Sequence, residues 1–380
     1  MRLKPIAFLT TAILLLAGCG GQAAAPSSAP ASPSASTAAP ASKPAAAAST
    51  TAKPAASASP SAQSAAAKPS VAPGETLVPF TAITANMAPL WVALDNNLFP
   101  KFNVNVKTTS VTNGQVAIQA LLAGDYHMVL VDGVSMTAAA VNTDTVMVAG
   151  ILDRFNFSIM TKPDIANVGQ LKGKKIGVTG LGNATGMAAE AMAKSQGWDP
   201  QKDIQIIQIQ TLPAIVAALK TGQVDAGPLS HPTLTQARAE GMHSVQDLYK
   251  ENIPFLHTGL VTTKSYLNGH RDEVTNVIKG LMAAEAYSKA HGDAFKQSIT
   301  KYTKVDDPAA LDETWQVYTN DLYVKKMTLT VPGEQLILDL LAPQNPGVKS
   351  IKPEQVLDSS IVDQLDKSGE IDRIYAEYGK

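Results

Sequence analysis

The chain has 380 residues, 31 basic and 32 acidic, with a formal net charge of −1. Every acidic residue follows position 72, so the segment from 73 onward carries 26 basic against 32 acidic residues and no basic surplus of the kind a nucleic-acid-binding face needs. The single cysteine excludes a disulfide framework, a cysteine-based zinc site and an iron–sulfur cluster, and 45% hydrophobic residues suffice for a real core.

At the amino end, Arg2 and Lys4 precede an uncharged run from Ile6 to Ala17, the layout of a secretory signal. The run is shorter than the roughly 18 residues that span a bilayer. It closes with Leu16-Ala17-Gly18-Cys19, which resembles the bacterial lipobox. That resemblance implies a lipoprotein signal peptide over residues 1–19, with Cys19 lipidated; an ordinary signal peptide with a chance cysteine is the alternative. Residues 20–72 are almost entirely Ala, Ser, Pro and Thr. Such a stretch cannot bury enough apolar area to offset the ordering of its backbone, and its prolines interrupt helix formation. We read it as a disordered spacer, about 3.1 Å per residue when extended; a site for glycosylation or wall attachment is the alternative.

From Thr76 the pattern alternates. Strands are expected at Leu77–Ile83, Val104–Thr108, Met128–Val131 and Val146–Gly150, with helices at Met87–Leu94, Asn113–Ala123 and Val134–Val141 between them. The alternation restarts at Lys175–Val178 and runs through helices Ala184–Gln196 and Pro213–Lys220 and strands Ile204–Ile209 and Val224–Gly227. A helix at Thr233–Glu240 and a strand at His257–Thr263 follow. The remainder reads as helix: Arg271–His291, Asp293–Tyr302, Pro308–Asp321, Gly333–Leu341, Pro353–Leu357 and Ser359–Tyr378. Strict β-α-β order argues for mostly parallel, doubly wound sheets. The expected fold class is α/β, a clamshell of two Rossmann-like lobes joined by two crossing strands, Ile151–Lys162 and Pro254–Lys264. Lobe 1 would take residues 73–160 and 257–380, and lobe 2 residues 161–256.

An internal echo at an offset of 98 supports two related lobes. Asn113 to Gly124 and Thr211 to Gly222 each begin with a capping residue and end with a glycine, and each leads into a strand that finishes on a small polar residue, Asp132 or Ser230. Open α/β sheets bind ligands at such carboxyl ends.

Catalytic constellations are not found. Gly180-Leu-Gly182-Asn-Ala-Thr-Gly186 matches a loose dinucleotide-binding turn, but the following strand ends Gln208-Ile209-Gln210 without the acid that would hold a ribose. Glycines that let backbone approach a small ligand, or a capped tight turn, are the other readings. No zinc-protease motif, nucleophile elbow or P-loop is present. His231, between Ser230 and Pro232, is either a cleft residue or a structural histidine. Trp91 is expected in the core.

Taken together, Pro89-Leu-Trp-Val-Ala-Leu-Asp-Asn-Asn-Leu-Phe99, Ala120-Leu-Leu-Ala-Gly124, Leu171-Lys-Gly-Lys-Lys-Ile-Gly-Val178 and Ala218-Leu-Lys-Thr-Gly-Gln-Val-Asp-Ala226 resemble the substrate-binding lipoproteins of bacterial ABC importers. The nearest group is the nitrate/sulfonate/taurine set with its thiamine-pyrimidine-precursor relatives. The resemblance implies a type II periplasmic-binding-protein fold, no enzymatic activity and no cofactor or metal. It also implies a small-molecule ligand delivered to an ABC permease and ATPase, and a monomer held outside the cytoplasmic membrane by a lipid at Cys19. It further implies a ligand site with Thr81, Ile83, Thr84, Asn86, Asp132 and Gly133 on one wall and Asn183, Ala184, Thr185, Gly186, Leu229 and Ser230 on the other. Gln115, Pro213 and Ala214 are second-rank candidates, and Asp132 is equally suited to capping the helix at Val134. Two departures stand out. His127 occupies a position that is usually acidic, whereas the second lobe keeps Asp225. The expected lining also holds an Asp but no Lys or Arg, with only Arg154 near a crossover, so an amine-bearing or neutral solute suits it as well as an anion. A tethered ligand sensor, or an enzyme of the pyrimidine-synthase type, are the alternative functions on the same fold.

Overall fold

The computed structural model describes residues 74–111 and 113–380; the expected signal peptide, Cys19 and the spacer to residue 72 lie outside the described residues. The chain forms β1 (Thr76–Leu77), α1 (Ala88–Asp95), β2 (Val106–Lys107), α2 (Gly114–Leu122), β3 (Val129–Val131), α3 (Gly133–Ala139) and β4 (Thr145–Arg154). Next come β5 (Ser158–Thr161), β6 (Lys175–Val178), α4 (Ala184–Ser195), β7 (Gln205–Gln208), α5 (Leu212–Thr221), β8 (Ala226–Leu229), α6 (Thr233–Ala239) and β9 (His243–Asp247). After β10 (Pro254–Thr263) the chain continues as α7 (Lys264–Gly269), α8 (Arg271–Ala290), α9 (Gly292–Thr303), α10 (Pro308–Val317), α11 (Val331–Leu341), α12 (Pro353–Val356), α13 (Ser360–Lys367) and α14 (Glu370–Tyr378).

Two sheets of the same design result. Single bridges from Phe80 to Ser110 and to Leu130 join β1 and β2 to the trio β3-β10-β4, giving the order β2-β1-β3-β10-β4. The second sheet runs β7-β6-β8-β5-β9. In each, four strands point one way and the fourth in order, β10 or β5, runs against them. That inverted strand is the one the chain enters on arriving from the other lobe, which corrects the reading of strict β-α-β order. The connections themselves are short, 155–157 outward and 248–253 back. The sheets therefore exchange chain at Ser158 and Pro254, rather than at 161 and 257 as expected from sequence. Strands β5 and β9 and helix α7 escaped the sequence reading. The first lay inside a segment read as a crossover, and the residues of β9 are only half-buried and show no apolar alternation.

Local signals account for the helix ends. Asn113 and Thr211 each sit in extended backbone and accept from the amide three residues on, Val116 N at 3.0 Å and Ala214 N at 3.3 Å. Gly222 closes α5 with φ 73°, and Gly369, at φ 72°, splits the expected helix 359–378 into α13 and α14. Trp91 is fully buried, stacked on Tyr302 at 4.6 Å and edge-on to Phe80 at 5.4 Å, which makes it core. The carboxy-terminal helices return over the first sheet, where α8 packs on α1 and α11 on β10. Two of them also touch the second lobe, α10 at α6 and α11 at α4.

Candidate functional site

The carboxyl ends of β1 and β3 in the first sheet, and of β6 and β8 in the second, carry the residues singled out by sequence. After β1, the Thr84 hydroxyl donates to Asn86 Oδ1, and Asn86 Nδ2 donates to Thr258 Oγ1 at 2.8 Å. Thr258 Oγ1 in turn lies 2.8 Å from His257 Nδ1. Because Val131 pairs with Gly259, residue 132 lies opposite Thr258, and Asn86 therefore reaches across the end of β3. Asn86, His257 and Thr258 are all buried. The sequence places His257 and Thr258 in a crossing strand and does not single them out for this site; a polar pair between Phe255-Leu256 and Leu260-Val261 is the available signal.

Several of the expected site residues have partners or packing roles within the protein. Asp132 accepts from Ser135 N at 2.9 Å and from Ser135 Oγ at 2.8 Å, so its carboxyl caps α3; burial pushes its pKa up. Gly133 faces the Leu256 carbonyl, where a Cβ would clash, so it is a packing position. The Leu229 side chain is wholly buried in an apolar cluster with Met160, Ile215 and Leu234 and offers only its backbone. Gln115 stands exposed in the first turn of α2, Thr81 is half-buried, and Ala214 lines a separate groove with Gln208 and Thr221.

On the second lobe, Asn183 Oδ1 caps α4 by accepting from Thr185 N at 3.1 Å and Gly186 N at 3.3 Å, while its Nδ2 donates to Thr179 Oγ1 at 2.9 Å. Thr185 is buried, its hydroxyl 2.9 Å from that of Thr179, and Ala184 packs into the apolar core beside it. The glycine pattern is explained within this turn. A Cβ on Gly180 would meet Asn183 Nδ2 at 2.7 Å, and one on Gly186 would meet the Gly180 carbonyl at 2.6 Å. Only Gly182 of the three faces open space. The capped tight turn is therefore the reading that holds for Gly180 and Gly186.

Ser230 and His231 follow β8, both about 1% exposed. His231 Nδ1 lies 3.0 Å from Thr235 Oγ1, which donates to Glu313 Oε2 at 2.6 Å; Arg238 forms an ion pair with the same carboxylate. Thr235 and Arg238 belong to α6 and Glu313 to α10, so this chain ties the second lobe to the carboxy-terminal helices. In the connection between sheets, Asn156 Nδ2 donates to Tyr318 OH at 2.8 Å. Burial holds His231 down at about 4 and His257 at about 3, so both rings are neutral near pH 7.

Two large apolar side chains stand in solvent at corresponding places: Ile83, 57% exposed, and Leu181, 46% exposed, separated by the repeat offset of 98. Ile83 lies in the loop after β1 and Leu181 in the loop after β6. Two surface grooves, of about 540 and 410 Å³, lie away from these residues, one between α9 and α10 and the other behind β7 and α5.

A family model described as "NMT1/THI5 like" matches residues 84–294, more than half of the chain. The Brachyspira hyodysenteriae protein named "Putative ABC transporter periplasmic binding protein" is 24% identical over 245 residues, covering 60% of this chain and 69% of the relative. Among solved structures, the periplasmic aliphatic sulphonate binding protein SsuA of Escherichia coli superposes with a TM-score of 0.65 at 16% identity, covering 77% of this chain and 100% of that one. The periplasmic nitrate-binding protein NrtA of Synechocystis superposes with a TM-score of 0.60 at 13% identity, covering 81% and 91%. At such identities the structural matches establish the periplasmic-binding-protein fold.

Proposed function

The chain belongs to the NMT1/THI5-like family, and on that premise we propose that it is a solute-binding protein of an ABC importer. It works outside the cytoplasmic membrane, captures a small molecule between its two lobes and hands it to a permease and ATPase. The observation that carries this reading is the pairing of two sheets of identical strand order, joined by connections of three and six residues, 155–157 and 248–253. Short paired connections of this kind let two rigid lobes rotate as units. The relative named for periplasmic binding and the sulphonate- and nitrate-binding neighbours support the same role.

The ligand site of this proposal lies between the carboxyl ends of β1, β3, β6 and β8. Thr81, Ile83, Thr84 and Asn86 line the first wall, and Leu181, Gly182, Asn183 and Ser230 the second. Asp132 and Asn183 act there mainly as caps that hold helix starts in place. The proposal includes a lipid anchor at Cys19 and a monomeric working state.

The test is a thermal-shift series on the full-length protein with nitrate, sulfate, taurine, alkanesulfonates, aminopyrimidines and amino acids. A solute at 100 times its Kd adds about 2.7 kcal/mol, a shift of a few degrees for a protein of this size. Leu181→Trp, made at an exposed loop position, is expected to remove that shift without lowering the melting temperature of the free protein. A stabilising solute that is indifferent to Leu181→Trp would place the site elsewhere.

A further inference from the structure

Two buried polar atoms near the crossing between the lobes have no partner: His231 Nε2 and Asn156 Oδ1. Their neighbours decide what they can accept. The Thr235 hydroxyl has one proton, and it goes to Glu313 Oε2 at 2.6 Å, on a carboxylate that also pairs with Arg238. Burial pushes Glu313 up, but the Thr235 bond and its charged neighbours outweigh that and hold it below its ordinary value. Toward His231, Thr235 Oγ1 can therefore only accept, so His231 Nδ1 carries the ring proton and Nε2 presents a lone pair. Asn156 donates one of its two amide N–H groups to Tyr318 OH and leaves Oδ1 open.

The two atoms belong to one place in the fold. Ser158 and Leu229 are the last residues paired between β5 and β8 in antiparallel register, so Asn156 and His231 each lie two residues beyond that pair at the same end of the sheet. Both side chains are also held from behind by one continuous helical stretch, His231 through Thr235 to Glu313 and Asn156 directly to Tyr318. The two unpartnered atoms of this pair are both acceptors. A bare oxyanion would set lone pairs against lone pairs, whereas an N–H-bearing group satisfies both atoms.

We propose that His231 Nε2 and Asn156 Oδ1 form a paired-acceptor subsite that takes an amine, ammonium or amide N–H group of the bound solute. The proposal rests on the solute-binding reading above and names the chemistry of its ligand. It also assigns His231 a second task, since the same ring links the ligand group to the Thr235–Glu313 tie between the lobe and the carboxy-terminal helices.

The experiment uses full-length protein labelled with 15N-histidine and two matched probe pairs, taurine against ethanesulfonate and a 4-aminopyrimidine against its des-amino analogue. The free protein is expected to show His231 protonated at Nδ1 and bare at Nε2. In at least one pair, the amine-bearing member should shift the Nε2 resonance and bind ten-fold or more tighter than its partner. His231→Phe should erase that preference, and His231→Gln, which keeps an acceptor, should retain part of it. A proton found on Nε2 overturns the subsite, as does the absence of any amine-dependent difference in both pairs. A solute that stabilises wild type and His231→Phe equally also overturns it, but leaves the solute-binding role standing. The role itself fails if no solute of the thermal-shift series stabilises the protein, so the two failures are separable.

Discussion

His127 and Asp225, 98 residues apart, make the same bond in the two lobes. Leu77 N donates to His127 Nδ1 at 3.1 Å, and Lys175 N donates to Asp225 Oδ2 at 3.0 Å. The donors are themselves 98 residues apart and belong to the parallel strands β1 and β6. The histidine that departs from the acidic pattern therefore preserves the contact, using an imidazole lone pair in place of a carboxylate oxygen. Tyr266 stacks on the ring at 5.3 Å.

From this, His127→Phe is expected to strand the Leu77 amide and cost about 1–3 kcal/mol, while His127→Asp should recover most of that loss. Burial holds the His127 pKa below 6.5, with Glu273 opposing. The contribution is therefore full above the unfolded value and is lost as pH falls through the lowered folded one. Urea titrations of the three proteins at pH 7.5 and at pH 5 give the comparison; equal stability of His127→Phe and wild type would refute the assignment.

The Gly180–Gly186 turn makes a contrast between two glycines. Gly186→Ala should push a Cβ into the carbonyls of Gly180 and Leu181 and open the cap of α4, a loss of about 1–3 kcal/mol. Gly182→Ala has open space around it and is expected to change stability by less than about 0.5 kcal/mol. Melting temperatures of the pair decide the matter, and comparable destabilisation by both would show that the glycines serve some other constraint.

Glu334 sets the alkaline limb of stability. It is wholly buried in α11, with Oε1 accepting from the Thr137 hydroxyl at 2.7 Å and Oε2 without a partner, and burial pushes its pKa up to about 8. Its folded pKa exceeds the ordinary 4.5, so the stabilisation is complete below pH 4.5 and disappears as pH rises toward 8. Glu334→Gln should gain on wild type by a few kcal/mol at pH 8 and above, because each pH step between the unfolded and folded values is worth about 1.4 kcal/mol, and should lie close to it at pH 5. Buried Glu285 acts in the same direction, so some alkaline decline should survive the substitution. On the acid side, neutral buried His231 and His257 take stability away between pH 6.5 and about 4 or 3. Parallel pH profiles for wild type and Glu334→Gln would fail this account.

Ile83 and Leu181 offer a test of the proposed walls. Both are exposed, so Ile83→Ser and Leu181→Ser should leave the melting temperature of the free protein within about one degree. Each lost apolar contact with an organic solute should weaken binding by roughly three- to tenfold, near 25 cal/mol per Å² of apolar surface covered. Calorimetric titration with the solute found by thermal shift measures this; unchanged affinity in the double variant would remove the two loops from the site.

Sequence alone determined the parts of this protein that rest on neighbours within a few residues. The Asn113 and Thr211 caps, the glycine stop at Gly222, the Lys175–Val178 strand and the burial of Trp91 follow from short-range spacing and apolar period. So did the two-lobed α/β plan, because the echo at 98 residues repeats those same local signals. Only the tertiary structure shows which hydrogen bonds the candidate side chains make within the protein. Asp132 and Asn183 were legible as polar residues at strand and helix ends, yet whether each bonds its own backbone or a ligand depends on three-dimensional closure of the turn. The reversed strands β5 and β10 likewise took their partners from distant parts of the chain. Asn86 reaches Thr258 across 172 positions, and Thr235 reaches Glu313 across 78. No local pattern encodes such pairings, because residues so far apart in sequence meet only after the intervening chain has folded back, and their contact repays that loop closure only in the finished structure.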